Sequence, residues 1–186
     1  CITYVASEVT APGEIESGGQ MRYYIGEPDN SESERAKRFQ AMVDETAIDA
    51  QLRTDLRRDI WVKIMGNAAY NPISALTMGT MGDMVNDPGV EDILRKVMAE
   101  VVAVGRGLGA EPNASIDERI VGTRHGAASH KSSMLQDLER GRMMEINPIV
   151  GAVAEVGKLA GVDTSTIDTV LALVKLRARL AGLLPE

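Results

Sequence analysis

Two hydrophobic rhythms divide the chain. In residues 1–53 the apolar positions fall in short β-rich runs. Ile2-Thr3-Tyr4-Val5-Ala6 predicts a strand, Pro12-Gly13 a turn, and Glu14-Ile15-Glu16 alternates. Met21 to Gly26 predicts a second strand, and Ala47 to Leu52 a short third. Between them Ser31 or Ser33 caps a helix to about Asp44, with Ala36, Phe39, Met42 and Val43 on one side. From Thr54 onward strand signals vanish and the spacing becomes three and four. Helices are expected near 55–70, 87–107, 145–160 and 164–182. Pro72 should kink the first or end its first part. Thr77 to Asn86 reads as a loop with a short helix. Asp87-Pro88 is a helix start, with Val90, Ile93, Leu94, Val97, Met98, Val101 and Val102 inward and an end near Gly107 or Gly109. Shorter helices follow from Ser115, carrying Ile116, Ile120 and Val121, and through Ser132, Met134 and Leu135, broken by Arg140-Gly141-Arg142. Glu145 to about Leu159 places Ile149, Val150, Val153 and Val156 inside, and Asp163-Thr164 caps a last helix carrying Ile167, Val170, Leu171, Val174 and Leu180.

The expected fold class is therefore mainly α: an all-helical domain over 54–186, preceded by a partial α/β segment over 1–53. Two or three strands with one helix cannot close a doubly wound sheet, so that segment reads as the tail end of one.

One helical stretch stands out. Ile60, Trp61, Ile64, Met65, Ala68 and Ala69 make an apolar face, and Lys63, Asn67 and Asn71 interrupt it at intervals of four. Four residues turn a helix by roughly 400°, so each lies about 40° around from the last and about 6 Å further along. One ammonium and two carboxamides form a stripe. Asparagines are poor helix formers, so residues that disfavour the helix and share a face suggest a site. The alternative is an exposed polar face, and spacing alone does not choose.

Composition narrows the chemistry. The 186 residues are 44% hydrophobic, 25% charged and only 3% aromatic, which suits helices packed through aliphatic side chains. A formal net charge of −7 argues against nucleic acid as a partner. It leaves room for a small anion held by one placed cation. No apolar run reaches the ~18 residues of a membrane span, so no membrane partner is expected. Cys1 is the sole cysteine, which fits a reducing, cytoplasmic setting. The start lacks an initiator Met, a basic n-region and an apolar h-region, and the chain is expected to be a fragment of a longer protein. His125 and His130 have no ligand-spaced partners, so no metal site is expected. No G-x-G-x-x-G follows a strand, so the chain shows no dinucleotide fingerprint of its own. Two later stretches look like site material. Ser133 opens a helix in Ser132-Ser133-Met134-Leu135-Gln136-Asp137, and Glu145 stands before an apolar helix, where the dipole favours an acid.

Lys63-x3-Asn67-x3-Asn71-Pro72, then Ser132-Ser133-Met134-Leu135-Gln136-Asp137, then Glu145-Ile146 resembles, in order and spacing, the C-terminal domain of the ketopantoate reductase (2-dehydropantoate 2-reductase) family. The resemblance covers about Asp59 to Leu183. More weakly, residues 1–53 resemble the end of that family's Rossmann domain. It implies a helical domain of the 6-phosphogluconate dehydrogenase C-terminal-like type for substrate binding and dimerisation. It also implies NADPH-dependent reduction of ketopantoate to pantoate in a cytoplasmic homodimer. By residue, Lys63 resembles the catalytic proton donor, and Asn67, Asn71 and Ser133 resemble substrate ligands. Glu145 resembles the acid that reaches the lysine and the cofactor. Ala6 loosely matches a backbone cofactor contact. Where the family can offer another asparagine, this chain reads Met78-Gly79-Thr80-Met81-Gly82, and Thr80 could substitute. Asn147-Pro148 replaces an acid and an aromatic after Glu145-Ile146. Two alternatives stay open: a relative acting on another 2-oxo acid, or a helical dimerisation module without activity of its own.

Overall fold

The computed structural model describes residues 1–183, with the side chains of Ala6, Glu8, Gly19 and Gln20 outside the described set. Two compact units emerge, Cys1–Ile60 and Trp61–Glu186.

The first unit is a three-stranded sheet in the order β1-β2-β3 with one helix. β1 (Ile2–Ala11) and β2 (Glu14–Ile25) form an antiparallel hairpin, from Ile2 opposite Tyr24 to Val9 opposite Ile15. Gly13 at φ +85° supplies the left-handed residue of the turn, a conformation open to glycine without steric penalty. The hairpin is longer than the β-rich runs suggest, and Val9 and Ile15 near its tip are exposed. α1 (Glu34–Asp44) then crosses over to β3 (Asp49–Leu52), which runs parallel to β2. Ser33 is its N-cap, accepting from the Ala36 amide at 3.1 Å. The core here is small: Ile25, Ala36, Val43 and Ala50, with Tyr23 and Ile48 beside them. Phe39 and Met42 do not join it; both are exposed on the outer side of α1.

α2 (Leu56–Thr77) opens in the first unit and carries the second unit's central apolar face. Its start is held by Arg53, whose guanidinium donates to both oxygens of Asp59 at 2.7 and 3.0 Å and lies 5.0 Å from the centre of the Tyr24 ring. The helix does not end at Pro72. A proline inside a helix costs about 3 kcal/mol, but Asn71, Ile73 and Ala75 around it are all buried, so packing carries the helix through. It stops at Met78, whose φ of +59° is the left-handed conformation that ends helices, while the Ser74 hydroxyl donates to the Gly79 carbonyl at 2.7 Å.

The rest of the second unit is helical, with no strand among its described residues. α3 (Met81–Asn86) and α4 (Pro88–Gly107) follow α2, with Asp87 capping α4 by accepting from the Gly89 and Val90 amides. α5 (Ile116–Gly126) and α6 (Ser133–Glu139) are shorter. A π-helical turn at Asn147–Gly151 leads into α7 (Ala152–Ala160), and α8 (Ser165–Leu180) closes the order. The main core joins Trp61, Met65, Ala68, Ala69 and Ile73 of α2 to Leu94, Val97, Met98, Val101 and Val104 of α4, with Ile120, Val150 and Ile167. Gly105 lets α4 approach α2, since a Cβ there would stand 3.2 Å from the Trp61 ring. Not every apolar side chain named on these helices is covered: Ile60, Ile93, Val121 and Leu180 are 39%, 40%, 47% and 78% exposed. Each sits at the edge of its helix's apolar arc or in its last turn. Helical geometry begins at Ile146 rather than Glu145, which puts Pro148 in the first turn, where its missing N–H costs no hydrogen bond.

Candidate functional site

Lys63, Asn67 and Asn71 lie on consecutive turns of α2 as the spacing predicts. Lys63 and Asn67 are half-buried and Asn71 is buried, with its Nδ2 amide lacking a hydrogen-bond partner in the protein. That orphan donor is informative, because a buried donor left unsatisfied costs about 1–3 kcal/mol and is rare without a role.

Two later segments flank the stripe near the C-terminal half of α2. Met134, Met144 and Ile146 pack with Ala75 in one apolar cluster, so the start of α6 and the strap before α7 both close on α2 one turn beyond Asn71. Their partners in sequence point the other way. Ser133, next to buried Met134, is exposed, and so is Glu145 between buried Met144 and Ile146. Ser132, not Ser133, caps α6, accepting from the Leu135 amide at 3.1 Å, so the Ser133 hydroxyl is left for other work. Burial lowers the Lys63 ammonium below its ordinary range, and the negative charge of Glu145 pulls it back up. The two residues therefore share one electrostatic environment.

Thr80 is otherwise engaged. Its hydroxyl donates to Asp83 Oδ2 at 2.7 Å and accepts from the Asp83 amide at 3.2 Å, a reciprocal cap for α3. It could donate to a substrate only by releasing Asp83. Ala6 lies in β1 with its side chain outside the described residues. An open depression of about 380 Å³ lies beyond the stripe, at the end of α2, lined by Thr77, Met78, Gly79, Asp83 and Val90 among others.

Gly66 and Arg119 are not marked by spacing or motif in the sequence. A Cβ on Gly66 would lie 2.2 Å from Arg119 Nη2, so the guanidinium rests directly on the backbone of α2 between Lys63 and Asn67. The one legible signal was a glycine inside an otherwise apolar helix.

The arrangement defines a class: a helical domain that presents a lysine–asparagine–asparagine stripe on one long helix, with the start of α6 and the strap before α7 packed against that helix one turn further on. The family model described as Ketopantoate reductase PanE/ApbA C terminal matches residues 55–178. The 2-dehydropantoate 2-reductase of Mesorhizobium japonicum is 44% identical over 174 residues, 94% of this chain and 53% of that protein. That of Archaeoglobus fulgidus is 32% identical over 94% of this chain and 58% of that protein. Among solved structures, 2-dehydropantoate 2-reductase from Methylococcus capsulatus superposes with a TM-score of 0.89 at 30% identity, covering 97% of this chain and 63% of that one. The chain belongs to the ketopantoate reductase family, and it spans little more than half the length of the curated relatives it matches.

Proposed function

We propose that this chain is the substrate-binding, helical part of an NADPH-dependent 2-dehydropantoate 2-reductase, which reduces ketopantoate to pantoate. The observation that carries the reading is Lys63. Its ammonium is half-buried on a stripe of carboxamides and faces the charge of Glu145. Reduction of a ketone builds negative charge on its oxygen, and an ammonium beside it stabilises that charge and donates the proton. Asn67, Asn71 and Ser133 donate to the substrate's carboxylate and hydroxyl, which accounts for the orphan Asn71 amide. Glu145 keeps Lys63 protonated against the pull of burial.

When bound, NADPH supplies the hydride. Toward it the second unit offers the exposed Glu145 carboxylate, an acceptor fit for an amide or hydroxyl. No Gly-rich phosphate loop stands in this sequence. We further propose a cytoplasmic homodimer. Leu173, Leu176 and Leu180 form an exposed stripe at spacings of three and four on α8, a face suited to a second copy. Among the described residues no helix is long and apolar enough to cross a membrane.

The test is NADPH oxidation by the complete protein against a panel of 2-oxo acids. Ketopantoate should give the highest kcat/KM. A better rate with another oxo acid would move the substrate but keep the class. No turnover of any of them would return the chain to a binding or dimerisation module.

A further inference from the structure

Arg119, on α5, is a half-buried cation. Its Nε is buried without a hydrogen-bond partner, and among the described residues no carboxylate pairs with its guanidinium. Neighbouring arginines are engaged: Arg95 bridges Glu91 and Asp117, and Arg124 reaches Glu91 and the Val85 carbonyl. A buried charge is costly unless it is paired, so an unpaired guanidinium at a site asks for an anion.

Its place is defined by Gly66. Only a residue without a side chain admits the guanidinium here, since a Cβ would lie 2.2 Å from Nη2 and 3.2 Å from Cζ. At roughly 100° per residue, Gly66 lies roughly 60° to one side of Lys63, and Asn67 and Asn71 roughly 40° and 80° to the other. Tyr70 falls on the same side as Gly66. Its hydroxyl is buried beside Thr123 of α5 and lies within the field of Arg119. The stripe is thus bounded by α5 and its cation on one flank, and by α6 and the Glu145 strap on the other.

We propose that Arg119, seated over Gly66, is a carboxylate-binding group of this site and sets its preference for 2-oxo acids. The carboxylate spans Arg119 and Asn67, which places the adjacent ketone oxygen over Lys63. A guanidinium presents paired N–H donors that match a carboxylate. The identity of the carboxylate as that of an oxo acid rests on the reductase reading above; the anion site itself does not.

The experiment measures binding of oxamate, a non-reducible mimic of a 2-oxo acid, to the complete protein by calorimetry, alongside steady-state kinetics. Arg119→Gln should weaken oxamate about tenfold to a hundredfold, the range of a lost hydrogen bond to a charged group. Arg119→Lys, which keeps the charge but not the fork, should recover part of it. Gly66→Ala should weaken it similarly while keeping the fold, because the new methyl meets only the far end of a flexible side chain. With an oxo acid as substrate, the loss should fall on KM rather than kcat. Oxamate affinity within twofold of wild type in both Arg119→Gln and Gly66→Ala overturns the proposal, as does no oxamate binding by the wild type. Arg119-dependent oxamate binding without turnover of any oxo acid would instead uphold the subsite and defeat the reductase reading.

Discussion

The two units fold by different means. The first packs its sheet and helix around a small apolar cluster of Ile25, Ala36, Val43 and Ala50, with polar pairs around it. Arg22 meets Asp49 at 2.7 Å across the parallel strands, Arg53 meets Asp59, and Glu27 gathers Ser33 and Arg35. The second buries a continuous cluster drawn from most of its helices, in which Met65, Leu94, Val97, Met98 and Ile120 are fully enclosed. A rigid apolar scaffold is what a site of small, placed polar groups needs. The polar stripe of α2 is held in register by the same helix whose other face is the core.

The comparison breaks most visibly at Lys63. If the chemistry lies in the second unit, Lys63→Ala in the complete protein should lower kcat by roughly 10²–10⁴-fold, with little change in NADPH affinity. Stopped-flow or steady-state NADPH oxidation reads this directly. A variant with wild-type kcat would make the stripe a plain polar surface. The core contrast comes next. Leu94→Ala should cost about 2–5 kcal/mol, because a fully enclosed side chain leaves a cavity that the packed helices cannot close. Val43→Ala in the first unit removes less from a looser, smaller cluster. Denaturant melts of both variants should rank them in that order, and the reverse ranking would mean that the small core governs stability.

Much of this was legible in advance because the hydrophobic period reports burial directly. α4, from its Asp87-Pro88 start to its end at Gly107, follows its spacing closely. The stripe followed from a fixed rotation per residue. What escaped were outcomes decided by tertiary packing. Pro72 does not end α2, because buried neighbours on both sides outweigh its local penalty. Ile93 and Leu180 have apolar side chains yet stay 40% and 78% exposed. In the site, Ser132 and Ser133 are chemically alike, and only the cap geometry separates the buried helix cap from the exposed hydroxyl. Thr80 looked available, yet a local cap holds it. Arg119 was invisible, since it lies 53 residues from Gly66 in sequence and only the fold brings them together.

Smaller effects sharpen the site. Asn71→Ala or Ser133→Ala should raise KM for the oxo acid roughly tenfold to a hundredfold through one lost hydrogen bond to a charged or polar group. Unchanged KM in both would remove the α6 flank from the pocket. Glu145→Gln addresses the lysine through its charge. Lys63 has a folded pKa below its ordinary value, so activity that needs the ammonium should fall as pH rises through that lowered pKa. Removing the Glu145 charge removes the influence that raises it, so the alkaline limb of the kcat–pH profile should move to lower pH. A limb that stays in place would uncouple the two residues.

The least effect is expected in the first unit, where polar pairs do what apolar burial does elsewhere. Glu27 is buried, and its carboxylate accepts from the Arg35 guanidinium and the Ser33 hydroxyl, which together hold its pKa down to about 2. A carboxyl whose folded pKa is depressed binds its proton less readily when folded than when unfolded. Its contribution is therefore fully present above the unfolded value of 4.5 and is lost as pH falls toward about 2. Arg35 is itself mostly exposed, so water and salt screen the pair and the contribution is small. Glu27→Gln should flatten the acid side of the stability profile between those two values and leave the helical unit unchanged. Hydrogen exchange at the β2 and α1 amides, compared with α4 across that pH range, separates the two. If wild-type and Glu27→Gln proteins lose protection in β2 and α1 at the same pH, the carboxylate is not what ties α1 to its loop. The small apolar cluster would then carry the unit alone.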